Sequence, residues 1–117
     1  MATTPVIVTC WLDPPLQSDF LLGTAVTWHA TFTDRIQRDL YVDPDVVNFI
    51  YSSPPQAPAT TVTYPTSIVR DAVGQYRLDL PFSVTGRWIL TVTAQGNPGL
   101  VPIGTLSLEL YVVGSAQ

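Results

Sequence analysis

The strongest signal in this chain is alternation. Val26, Trp28, Ala30 and Phe32 alternate with Thr27, His29, Thr31 and Thr33. Tyr76, Leu78 and Leu80 alternate with Gln75, Arg77 and Asp79. Trp88, Leu90, Val92 and Ala94 alternate with Ile89, Thr91, Thr93 and Gln95, and Leu106, Leu108, Leu110 and Val112 with Ser107, Glu109 and Tyr111. A strand turns successive side chains to opposite faces, so each set predicts a strand with one face on a core and one in water. Three further strands are less regular. Val6 to Leu12 is apolar on both faces apart from Thr9. Val46 to Ser52 puts Val47, Phe49 and Tyr51 inward. Thr60 to Arg70 is Thr-rich and interrupted by Pro65, which makes it an edge strand or two short pieces. About seven strands, separated by turn signals every 8–12 residues or so, predict an all-β sandwich or barrel.

The connections agree with that reading. Asp13-Pro14-Pro15 ends the first strand, and Asp34 to Asp45 is a polar loop closed by Asp43-Pro44. Pro54 to Pro58 is a stiff, extended corner. Asp71-Ala72-Val73-Gly74 and Gly96-Asn97-Pro98-Gly99 are turns, with Gly74 the candidate for positive φ.

Composition narrows the class. Residues 1–117 form one domain, with residues 1–4 and 114–117 expected as flexible tails. Hydrophobic residues make up 46% and charged residues 12%, the reverse of a disordered chain. Apolar runs stay far below the roughly 20 residues that span a bilayer, so no membrane segment is expected. Met1 to Cys10 has neither a basic n-region nor a long apolar h-region, so no signal peptide is expected. A single cysteine, Cys10, excludes an intramolecular disulfide. The net charge is −4 and all five cations are Arg, which argues against a nucleic-acid partner.

Candidate chemistry is sparse: one His, one Cys and one Glu. His29 lies on the outward side of its alternation among threonines and reads as a solvated surface residue. Cys10, in an apolar strand, reads as a small hydrophobe. No nucleophile elbow, phosphate loop or zinc spacing is present. Asp34, Asp39, Asp43 and Asp45 fall within twelve residues and could offer oxygens to Ca²⁺. Their spacing matches no EF-hand, and Arg35 and Arg38 interleave with them, so a solvated loop with local ion pairs is the simpler reading. No enzyme activity, cofactor or metal is expected. Trp28, Phe32, Phe49, Tyr76 and Trp88 sit on inward faces and read as core. The second apolar face of the Val6 to Leu12 strand needs a cover. Its own loop, Leu16 to Leu22, is one candidate and a partner chain another. Trp11 is therefore the first candidate contact residue, with Tyr111, on the outward face of the last strand, and Phe20 beside it.

Three local patterns carry a resemblance. Phe32-Thr33-Asp34 leads through a polar loop to Asp43-Pro44-Asp45-Val46-Val47-Asn48-Phe49. Pro54-Pro55 precedes a Thr-rich segment and then Arg70-Asp71-Ala72-Val73-Gly74-Gln75-Tyr76. Gly86-Arg87-Trp88 opens an alternating strand. Over residues 23 to 112 the chain resembles the small immunoglobulin-like virion structural proteins of tailed bacteriophages. The resemblance implies an immunoglobulin-like antiparallel β-sandwich without the inter-sheet disulfide of antibody domains. It further implies a capsid-decoration, neck or tail-associated module on the outside of the particle, assembled in the host cytoplasm. Its partners would be capsid, connector or tail subunits, met in multiple symmetric copies. The alternative is a carbohydrate or cell-surface adhesion module.

Overall fold

The computed structural model describes residues 6–13, 15, 19–37, 39–52, 59–96 and 101–114, the side chains of 101–103 excepted. The expected tails (apart from Gly114), the Pro54 to Pro58 corner and the Asn97-Pro98-Gly99 turn lie outside these residues. Nine strands are formed: β1 Val6–Asp13, β2 Asp19–Leu21, β3 Ala25–Asp34, β4 Val46–Ser52, β5 Thr60–Thr63, β6 Val69–Ala72, β7 Gln75–Pro81, β8 Gly86–Gly96 and β9 Val101–Val113. They make two sheets, ordered β1-β3-β7-β6 and β2-β9-β8-β4-β5. Every pairing is antiparallel except β2 with β9, which is parallel. The order is that of an immunoglobulin-like sandwich, whose first, second, fifth and fourth core strands share one sheet.

Nine strands appear among the described residues where about seven were expected, for two local reasons. Residues 19–21, expected within a loop, form β2 in the other sheet: β1 pairs with β3, while β2 pairs with β9. The Thr60 to Arg70 segment forms two pieces, β5 and β6, in opposite sheets. Between them Tyr64–Pro65 is cis and Ser67 has φ 60°.

The core follows the alternation. Trp28, Phe32, Phe49, Tyr76 and Trp88 are all buried. Trp28 meets Phe49 of the facing sheet edge-on, with centroids 4.7 Å apart, and Phe82 meets Trp88 at 5.1 Å. Such pairs add to the burial of their large apolar area, so aromatic packing ties the sheets where antibody domains use a disulfide. Truncating Phe49 to Ala would cost about 3–5 kcal/mol. Tyr51, also expected inward, is half-buried and stacks on Trp88 at 6.1 Å. Gly104 of β9 allows close approach of the two sheets. A Cβ there would stand 2.8 and 2.9 Å from the Cγ2 atoms of Val6 and Val8.

Candidate functional site

The three residues expected at a contact surface go to three different places. Trp11 lies on the outer face of the four-stranded sheet, 46% exposed. Tyr111 lies on the outer face of the five-stranded sheet, 47% exposed, between Asp19 and Arg87 in the ladder. The sandwich separates them, so they form no single site. Phe20 is corrected outright. It is 1% exposed, its ring 5.2 Å from Phe82, because the middle residue of β2 faces the core once β2 joins β9. Residues 19–22 of the expected cover thus serve the opposite sheet. Leu16 to Ser18 lie outside the described residues.

Trp11 is not bare, however. β1 and β3 pair so that Trp11 stands directly opposite His29. Their rings stack with centroids 4.9 Å apart and an interplanar angle of 8°. His29 is opposite Arg77 on its other side, and Arg77 opposite Val69, giving one cross-strand row over the whole sheet. Arg77 donates through Nε to Asp71 Oδ1 at 2.9 Å. In the neighbouring row Thr27 donates to Asp79 Oδ1 at 3.1 Å. Polar groups therefore do flank the aromatic pair, supplied by strands distant in sequence.

The outer face of the five-stranded sheet has another character. Thr105, Thr93, Asn48 and Thr63 form one cross-strand row, and Ser107, Thr91, Ile50 and Thr61 the next. Thr91 and Ser107 hydroxyls lie 2.8 Å apart, and Thr63 donates to Asn48 Oδ1 at 2.6 Å. No charge falls in either row. Arg87 and Glu109, which pair with each other, sit at one end of the face.

The most connected polar group is Asp43, in the loop before β4. Arg70 donates to it from Nε at 3.2 Å and Nη2 at 2.8 Å. The Gly74 N–H and the Tyr76 hydroxyl each donate to Oδ1 at 2.8 Å. Burial would raise the Asp43 pKa, but the bonds from Arg70, Gly74 and Tyr76 outweigh it and hold the carboxyl below its ordinary range. Burial first, then the Asp43 carboxylate, push the Tyr76 hydroxyl upward. Gly74 has φ 69°, and a Cβ there would stand 2.7 Å from the Phe32 carbonyl oxygen and 2.8 Å from that of Val42. The node thus staples the β3–β4 loop to the β6–β7 turn. The sequence read Tyr76 as core and offered no sign of its partner, since Asp43 lies 33 residues away.

The remaining candidates resolve simply. Asp34 accepts the N–H groups of Ile36 and Gln37 at 3.0 and 2.8 Å, which shapes the acidic loop locally. Asp43 is bound by Arg70, and Arg38 lies outside the described residues. Among the described residues no group of three or more His, Cys, Asp or Glu side chains is placed to hold a metal ion. Cys10 faces inward, and burial pushes its thiol up to about 11, with a smaller opposing effect from the Trp28 indole. Apart from that sulfur, the buried indole N–H has no hydrogen-bond acceptor among the described residues.

No family model and no curated protein matches the chain. Among solved structures it is similar to part of the chitinase ChiW from Paenibacillus sp. str. FPU-7, described as a cell-surface-expressed multi-modular enzyme machinery. The TM-score is 0.60 at 13% identity, covering 97% of this chain and 9% of that one. At this identity the likeness concerns the fold alone.

Proposed function

We propose that this chain is a non-enzymatic structural module of a tailed-phage virion, docking on the outside of the particle as a capsid-decoration or neck- or tail-associated part. The sequence patterns stated above motivate the phage context. One structural observation carries the docking role: three ion pairs are made within the fold, while the Trp11 side chain is left about half in water. Asp43 is spent on Arg70, Gly74 and Tyr76, Arg77 on Asp71, and Arg87 on Glu109. Trp11, held upright by His29 on the outer face of β1, is a rigid aromatic group of the kind that anchors interfaces. The acidic balance favours a site away from packaged DNA. Repeated copies on a symmetric lattice then multiply a modest contact.

The test is binding of the full chain to purified head, neck and tail subunits of tailed phages, with Trp11→Ala alongside. Saturable binding that Trp11→Ala abolishes, with the melting temperature retained, supports the reading. No binding to any of these components overturns it. A second reading, carbohydrate adhesion, gains from the polar groups on the same face as Trp11: Thr27 on the adjacent strand β3, and Arg77 and Asp79 one strand further, on β7. A domain of this fold also occurs within one cell-surface chitinase. A glycan array that retains the folded chain through Trp11 would favour that reading.

A further inference from the structure

The outer face of the five-stranded sheet is unusual for a wet face. Antiparallel sheets with one solvated side ordinarily place charged side chains there, and the four-stranded sheet does so with Asp13, Arg77 and Asp79. The two rows centred on Thr93 and Thr91 hold hydroxyls, an amide and one isoleucine instead. Loss of charge from a central patch, with charge kept at its margin, is one feature of an interface core. Arg87 and Glu109 mark that margin here.

We propose that this face is a self-association interface whose occupant is the same face of a second copy, related by a two-fold axis. Three arguments select a second copy. A hydroxyl both donates and accepts, so a Thr-, Ser- and Asn-lined surface is complementary to itself without needing opposite charge. Copies of a chain with net charge −4 repel one another, and a neutral face is where they meet at least cost. The area is at the low end. Strands β5, β4, β8 and β9 span roughly 19 Å across at about 4.8 Å spacing, and the outward positions of β8 from Ile89 to Gln95, the Glu109 margin included, run about 25 Å. Each copy would bury at most on the order of 500 Å², about 1,000 Å² in all, the least that a specific interface needs. The dimer is therefore weak and concentration-dependent. It leaves Trp11 of each copy facing away from the contact, so this proposal stands apart from the docking role of Trp11 and does not rest on it.

Sedimentation velocity of the full chain over a concentration series into the millimolar range tests it. The expected result is a monomer–dimer equilibrium. Thr93→Lys should weaken the equilibrium by about tenfold or more, because the two-fold axis brings like charges together. Thr9→Lys, on the other sheet, should leave it unchanged. Mixing Thr93→Lys with Thr93→Glu should restore association as a heterodimer. Dilution-dependent amide shifts in the wild-type chain, mapped by NMR, should fall on β4, β8 and β9, a reading that depends on no variant folding. A monomer at every concentration overturns the proposal. So does a dimer that Thr93→Lys leaves intact, or one whose shifts map to β1 and β3. A monomer that still binds phage subunits removes only this proposal. A dimer that binds none removes only the docking reading.

Discussion

Replacing Asp43 with Ala should unlatch the β3–β4 loop from the β6–β7 turn. Two of its bonds come from part-buried donors, the Gly74 N–H and the Tyr76 hydroxyl. A hydrogen bond to a charged group contributes about 1.5 kcal/mol or more, and its loss also strands the donor. The carboxylate is over a third exposed, so solvent screening reduces that figure. Arg70 lies at the surface and adds little. The expected loss is about 2–3 kcal/mol at pH 7, a fall in melting temperature on the order of 10 °C for a domain of this size. Acid supplies an independent arm. The folded pKa of Asp43 is depressed, so the unfolded chain binds this proton more readily. The stabilisation is complete above the unfolded pKa, near 3.9, and is lost as pH falls through the folded value. Urea titrations of wild type and Asp43→Asn between pH 7 and pH 2 should show their stabilities converging below about pH 4. A double-mutant cycle with Tyr76→Phe should show coupling above about 0.5 kcal/mol. The reasoning fails if Asp43→Ala costs under about 1 kcal/mol, or if the Asn variant's deficit persists unchanged at pH 2.

Three further outcomes follow from single positions. Gly74→Ala should cost at least about 2 kcal/mol by urea denaturation, since it forces a Cβ onto two carbonyl oxygens at φ 69°; wild-type stability would refute the close approach. Trp88 donates its indole N–H to the Val84 carbonyl at 2.9 Å, whereas the Trp28 N–H has no acceptor among the described residues beyond the weak Cys10 sulfur. Trp28→Phe should therefore cost about 1–2 kcal/mol less than Trp88→Phe, and equal costs in thermal melts would contradict this. Cys10, half-buried with its thiol pushed up to about 11, should react with a disulfide reagent at pH 8 several-fold more slowly in the folded chain than in urea. Rapid labelling of the folded chain would place Cys10 elsewhere.

Local pattern by itself determined the class of this fold and most of its core. Trp28, Phe32, Phe49, Tyr76 and Trp88 were legible as core because a strand's two-residue period shows in the order of side chains. Gly74 was legible as a positive-φ turn because its neighbours are turn residues. Phe20 was not legible: its strand is three residues long, too short for a period, and its burial depends on pairing with β9. Nor could Trp11 and Tyr111 be placed on opposite faces until the chain's change of sheet after Asp13 was known. Tertiary structure alone decided who meets whom. Asp43 finds Tyr76 and Trp11 finds His29 through strand register and loop closure, which depend on long-range pairing. The direction of a side chain is a property of its near neighbours, but its partner is a property of the whole sheet.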